Sequence, residues 1–377
     1  MGNFNIMNII GIVTILISSL LAIFLFTLKT KNSLSNRLFA VFLVLIAFDI
    51  AGWVLPLFFT KPTNFTLLRS NLILLQLPVF YLHALSVCYS DFKLKKKQLL
   101  HSIPFILVNL LLIPRYYLAN TTGKIEFLKN SMAMYETQFF YVLVHVQIVA
   151  YIVVIFIILK KTRTLYVENY ANSDMRFHKW LFQITVFLSI FHGIAILKNI
   201  FKFSDFPRLT EWAMVSLGII ELIILFWYLF KALQNPELLR RVDSKLRLIH
   251  TMAKPSNSNN TEHNLEEIQK LRTFMKSEEP FLDPTLTVKK LANDLQMPVR
   301  ELSILINHTL NQHFFDFVNG YRVEKAKKML ANAANTKLTV LEILYEVGFN
   351  SKSSFNTAFK KHTGSTPTIF RKQFKNQ

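Results

Sequence analysis

The feature that most limits the fold of this chain is a set of apolar runs, each about as long as a bilayer is thick. A bilayer core offers no water to the backbone, so a crossing segment must be helical and needs about 20 mostly apolar residues. Seven stretches qualify: Ile6–Leu28, Leu38–Phe59, Leu67–Tyr89, Leu99–Leu118, Phe139–Leu159, Trp180–Ile200 and Trp212–Ala232. The fourth is interrupted by Pro104 and Pro114, which a span tolerates where neighbours satisfy the freed carbonyls. No basic stretch precedes the first run and no small-residue cleavage site follows it, so it reads as a retained helix and not a signal peptide.

Charge divides the chain in two. Residues 1–232 hold 21 Lys and Arg against 9 Asp and Glu, nearly all placed between the apolar runs. Residues 233–377 hold 22 against 14, interleaved at helical spacing. The net charge of +20 points to two anionic partners, membrane lipid headgroups and nucleic acid. The single cysteine, Cys88, excludes an internal disulfide and a multi-thiolate metal site.

Seven crossings put the termini on opposite sides. The odd-numbered loops carry twelve Lys and Arg and the even-numbered loops seven. Basic loops stay in the cytoplasm, so the expectation is a multi-pass protein of the cell (inner) membrane with its N-terminus outside and its C-terminal half inside. The longest outer loop, Pro114–Gln138, is too short for a ligand domain. A signal would be small, lie within the membrane, or arrive through another protein.

Polar residues at membrane depth are costly and so informative. Asp49 and Glu221 are central in the second and seventh runs, and His83, His145 and His192 lie in the third, fifth and sixth. Two readings stay open for Asp49 and Glu221: an intramembrane signalling role, with His192 as a further candidate, or interhelical hydrogen bonds that fix packing. Packing is favoured for the histidines as a group, and for Gln76, Gln147 and Gln183.

After the last run, Arg240, Arg241, Lys245 and Arg247 suit anionic headgroups. Ala253–Asn264 reads as a flexible linker and 265–279 as an adapter helix. Residues 280–377, with net charge +7, then show two similar blocks. In the first, Thr285 or Thr287 caps a helix carrying Val288, Leu291 and Leu295; a turn at Gln296–Met297 and Pro298 opens a second helix with Leu302, Leu305 and Ile306. In the second, Thr339 caps a helix with Val340, Ile343 and Leu344. Gly348 permits a left-handed turn, and Asn350 or Ser351 caps a helix with Phe355 and Phe359 on one face. Each block is a helix-turn-helix, and 314–333 reads as the helix between them. Opposite the two phenylalanines stand Lys352, Ser353, Asn356 and Lys360, with Thr357 alongside. Short polar side chains of this kind reach base edges in a major groove. Lys360, Lys361, Arg371 and Lys372 suit phosphate contacts.

The stretch "EILYEVGFNSKSSFNTAFKKHTGSTPTIFRKQF" resembles the signature of AraC/XylS-type transcription regulators. "LTVKKLANDLQMPVRELSILIN" resembles their first helix-turn-helix and "YRVEKAKKML" their linker helix. The likeness covers roughly Leu282–Phe374. Upstream, "LPVFYLHALSVCYSDFKLKKKQLLHSIPFIL" is similar, more loosely, to a subgroup with seven spans before that domain. The resemblance implies sequence-specific binding of double-stranded promoter DNA by two recognition helices in successive major-groove turns. Carried over by position, the base-facing residues are Lys352, Ser353, Asn356 and Thr357 in the second motif. In the first they are Arg300, Ser303 and Ile304, of which Ile304 departs from the long polar residue common there. Leu344 stands where a small alanine is usual.

The expected architecture is therefore all-α: a seven-helix transmembrane bundle followed by a soluble all-α domain with two helix-turn-helix motifs. The expected function is a membrane-anchored one-component transcription regulator. RNA polymerase is its expected further partner, and flexible linkage leaves room for a homodimer on adjacent half-sites. The sequence holds no Gly-rich phosphate loop, GxSxG elbow or paired-histidine metal motif, so no enzyme activity, cofactor or metal is expected. The alternative is a transporter- or receptor-like bundle whose basic tail holds DNA non-specifically or recruits a protein.

Overall fold

The computed structural model describes residues 5–27, 33–89, 91–171, 176–202, 207–234, 261–332 and 338–375. The described residues are mostly helical, with an isolated antiparallel bridge from Tyr170 to Thr287 and no named strand among them. The chain divides into two compact units. The first is 1–159 with 177–241, and the second is 160–176 with 242–377.

Six helices in the first unit are long and apolar enough to cross a membrane. They are α1 (Ile6–Thr27), α2 (Ser33–Val54), the pair α3 (Asn64–Asn71) and α4 (Ile73–Cys88), α7 (Tyr135–Asn169), α8 (Arg176–Lys202) and α9 (Pro207–Gln234). The fourth expected span differs. It forms a 3-10 segment Lys96–Ser102, a short helix α5 (Ile103–Leu111) and a π turn Ile113–Tyr117. The cause is in the sequence: Pro104 and Pro114 each open a new piece, because proline lacks the N–H and clashes with the preceding turn. A short helix α6 (Thr121–Lys129) follows, with Asn120 capping it through Gly123 N at 2.9 Å.

The core of this unit gathers Phe39, Leu43, Phe80, Ile155, Leu181 and Leu225, with Phe39 stacked on Tyr228 at 4.4 Å between ring centres. Polar groups also tie the helices together. His83 Nδ1 sits 3.0 Å from the Ser35 carbonyl, Gln147 donates to Leu74 O at 2.8 Å, and Asn199 meets His145 Nε2 at 3.0 Å. These are packing bonds, as expected for His83, His145 and Gln147. Arg69 donates to the carbonyls of Phe48 and Asp49, both at 2.7 Å. Gly52 makes room for it, since a Cβ there would lie 2.6 Å from the guanidinium. The outer faces stay apolar: Val142, Val146, Val149, Val153 and Ile157 form an exposed stripe along α7.

The second unit is built along one spine. Helix α13 (Phe314–Ala331) puts Phe314, Phe317 and Val318 into the first motif's core and Val323, Ala326 and Leu330 into the second's. The first motif pairs α11 (Val288–Asp294) with α12 (Val299–Ile304), which runs on into a π turn, Leu305–Thr309. Its cap is Thr287, accepting from Lys290 N at 3.2 Å. Helix α10 (Thr261–Ser277), the expected adapter, buries Leu271 and Met275 in the same core. The basic residues 240–247, and the expected linker as far as 260, lie outside the described residues.

The second motif pairs α14 (Val340–Glu346) with α15 (Lys352–Thr363), and α16 (Pro367–Lys375) closes it. Thr339 and Glu342 form a reciprocal capping box, at 3.1 and 2.6 Å. Gly348 has φ +89°, and a Cβ there would fall 2.5 Å from the Phe281 carbonyl, so both conformation and contact demand glycine. Phe349, Phe355 and Phe359 stack in series at 5.1 and 5.6 Å and are essentially unexposed. Leu344, despite its bulk, is 1% exposed within this core.

Candidate nucleic-acid interface

Helix α15 is amphipathic in the sense a groove reader needs. Ser354, Phe355, Ala358 and Phe359 are buried. Lys352, Ser353, Thr357, Lys360 and Lys361 are exposed, and Asn356 is half-buried between them. The spacing 352, 353, 356, 357, 360, 361 makes one continuous stripe along the helix. Ser351 caps its start, accepting from Ser354 N at 3.2 Å, and Gly364 ends it with φ +76°. Thr357 Oγ1 donates to Ser353 O at 2.8 Å, which leaves the hydroxyl oxygen free to accept.

The phosphate candidates divide. Lys360 and Lys372 are exposed. Lys361 is exposed but pairs with Asp316 at 2.6 Å, a surface ion pair of small worth that a phosphate can replace. Arg371 is half-buried and donates to the Leu338 carbonyl at 2.5 Å, so it fastens α16 to the start of the second motif.

In the first motif, Arg300 is exposed on α12 and Ile304 is half-buried. Ser303 corrects an expectation. It is 3% exposed, turned into the core with Leu302, and its carbonyl accepts from Asn307 Nδ2 at 2.9 Å. The exposed face instead runs Arg300, Glu301 and His308. A base-reading surface here rests on Arg300.

Sequence reasoning passed over Arg322. It is 0% exposed, and its guanidinium is spent on carbonyls: Nε to Phe281 at 2.6 Å, Nη1 to Ala171 at 3.0 Å and Nη2 to Asp283 at 2.8 Å. It also lies over the Phe349 ring, 5.4 Å from its centre. One side chain thus joins the linker helix, the entry to the first motif and the turn of the second. Its spacing was the available signal, for Val318, Arg322, Ala326 and Leu330 follow at intervals of four on the buried face. Ala171 is equally buried, and its N–H donates to Leu286 O at 3.2 Å.

In the first unit, the three intramembrane candidates come together: Asp49, His192 and Glu221 line one cavity between α2, α4, α8 and α9. No cluster of three or more His, Cys, Asp or Glu with metal-holding geometry occurs among the described residues.

A family model described as a helix-turn-helix domain matches residues 291–373, and the C-terminal part of the chain is an AraC-type domain of that kind. The chain is similar to an uncharacterised HTH-type transcriptional regulator from the cgkA 5′ region of Pseudoalteromonas carrageenovora. The two are 38% identical over 76 residues, 20% of this chain and 40% of that protein. It is also similar to the Msm operon regulatory protein of Streptococcus mutans, 28% identical over 92 residues, 24% of this chain and 32% of the relative. The chain thus spans less than half the length of either. A solved Listeria innocua protein of unknown function is 33% identical and covered over 95% of its length, which is 28% of this chain; the TM-score of 0.25 carries no argument. The family model and the two regulator relatives support a DNA-binding regulator.

Proposed function

We propose that this protein is a membrane-anchored transcription regulator that reads promoter DNA from the cytoplasmic face under control of a signal sensed by its bundle. The observation that carries the reading is the stripe on α15, six polar or basic positions backed by a phenylalanine core, on a chain that also has six long apolar helices. In this reading the segmented helical run 96–117 is the seventh crossing, and the apolar stripe on α7 faces lipid. Lys352, Ser353, Asn356, Thr357 and Arg300 contact bases, while Lys360, Lys361 and Lys372 contact phosphates. RNA polymerase and a second copy of the chain are its partners on DNA.

Residues 235–260, between α9 and α10, lie outside the described residues. A route for coupling is supported by contacts inside the second unit. The loop after α7 docks there through Ala171, held between Leu286 and Arg322. In this reading the signal passes along the chain from α7 to this contact. Ala171→Asp should uncouple reporter output from the signal while DNA affinity persists; unchanged signal response would remove this route.

The test of the DNA reading is selection of preferred sequences by the full-length protein in lipid nanodiscs. Enrichment of one motif, lost on Asn356→Ala, is expected. Binding that is salt-sensitive but indifferent to sequence would support the non-specific tail instead.

A further inference from the structure

The cavity between α2, α4, α8 and α9 has a volume of about 50 Å³. One water needs about 10–15 Å³, so this space takes only a few non-hydrogen atoms. Its walls are mostly apolar, with the stacked Phe39 and Tyr228 on one side, yet Asp49, Gln76, His192 and Glu221 converge on it. Such convergence in an apolar site is the usual form of a small-molecule pocket.

Gln76 hydrogen-bonds Asp49 and the Leu45 carbonyl, but His192 and Glu221 are not used up by the protein. His192 is 5% exposed and meets only the Phe191 ring, edge to face at 5.3 Å. Neither His192 nor Glu221 has a hydrogen-bond partner among the described residues. Arg69 stands near Asp49, but its donors go to the carbonyls of Phe48 and Asp49. Arg69 and Lys198 act on Asp49 from outside the cavity lining, and Gln76 hydrogen-bonds its carboxylate; Glu221 faces no cation of the protein, only Asp49, and a cationic occupant complements it. A directly ligated metal ion is not indicated, because the acids and histidine do not form a metal-holding cluster.

We infer that this cavity binds a small organic ammonium of about three to five non-hydrogen atoms. Its N–H groups donate to the Glu221 and Asp49 carboxylates and to His192, and its short carbon chain lies against Phe39 and Tyr228, whose ring faces favour a cation. This rests on the reading of the bundle as a sensor and names the chemistry of its signal.

Ethanolamine hydrochloride is the probe, with ethylene glycol as the neutral molecule of equal size and sodium chloride as the inorganic cation. The full-length protein in nanodiscs is unfolded by heat and followed by tryptophan fluorescence, to which Trp180, 5.2 Å from Tyr228, contributes. A saturable rise of about 2 °C is expected with ethanolamine at tenfold excess over its Kd, and none with either control. Glu221→Gln should abolish the rise, as should Ile224→Trp, which fills the cavity from the next turn of α9; Glu211→Gln, at an exposed site, should keep it. An equal rise with ethylene glycol or sodium chloride, no rise at all, or a rise that survives both cavity variants would overturn the inference. A reporter in cells separates the two levels. Ethanolamine binding without any effect of Glu221→Gln on transcription would leave the site standing and remove the sensor. A transcriptional effect without ethanolamine binding would do the reverse.

Discussion

The two helix-turn-helix motifs follow one plan but make their turns by opposite means. The second turns on Gly348, which a side chain cannot replace because the Phe281 carbonyl is in the way. The first turns on Gln296, a side-chain-bearing residue at φ +54°, a conformation that costs most L-residues about 1–2 kcal/mol. The second recognition helix is twelve regular residues; the first is six, extended by a π turn. The second presents an exposed stripe with two polar and three basic members, whereas the first offers Arg300 beside Glu301 and turns Ser303 inward. The lesson is that duplicated topology does not imply a duplicated surface: the longer exposed polar face lies on the regular helix.

The largest test of that contrast is a core truncation. Phe355→Ala removes a ring packed between Phe349 and Phe359 and should cost about 3–5 kcal/mol. Leu302→Ala in the first motif should cost about 2–5 kcal/mol. Denaturant unfolding of the full-length protein, followed through the second unit, checks both, and a Phe355→Ala loss well below that of Leu302→Ala would reverse the ranking of the motifs.

The turns should respond with opposite signs. Gly348→Ala forces a Cβ against two carbonyls and should destabilise by more than about 1 kcal/mol. Gln296→Gly relieves a left-handed residue and should be neutral or stabilising by up to about 1 kcal/mol. Equal losses at both sites would show that the turns are not different in kind.

Caps give a smaller effect. Thr339→Ala breaks a two-way box and should cost about 1 kcal/mol, against less for the one-way cap at Thr287. Melting temperatures of the two variants decide it.

The smallest effect is electrostatic and belongs to the first motif. Partial burial works against the Asp283 carboxylate, but hydrogen bonds from Lys290 and Thr285 outweigh it and hold its pKa down at about 2. A depressed carboxylate adds stability that is present above its ordinary value of 3.8 and is lost as pH falls through about 2. Asp283→Asn should therefore be less stable at neutral pH by roughly 1 kcal/mol, a surface-screened amount, with the gap closing by pH 2. A gap independent of pH would assign the loss to something other than this charge.

How far each feature could be read from sequence follows its range. Gly348, the Thr339–Glu342 spacing and the paired phenylalanines are local signals, and the structure repeats them. The long apolar runs were equally plain, and even the broken fourth run was marked by Pro104 and Pro114. Ser303 was misplaced because analogy by position ignores how α12 rotates its face into the core. Arg322 was passed over because a charged residue is expected at a surface, although its interval of four from Val318 and Ala326 told otherwise. The meeting of Asp49, His192 and Glu221 was beyond any reading of one chain, since it depends on which helices are neighbours. Ala171 gives no sequence signal at all, because its role is carried by backbone groups.

The most direct test is a genome-wide map of DNA occupancy for the full-length protein in its own cells, beside the Lys352→Ala, Asn356→Ala double variant. Each base contact should be worth about 1–3 kcal/mol. The account predicts discrete peaks upstream of a limited set of genes, lost in the variant while protein level in the membrane fraction holds. Diffuse occupancy that is the same for both proteins would contradict it.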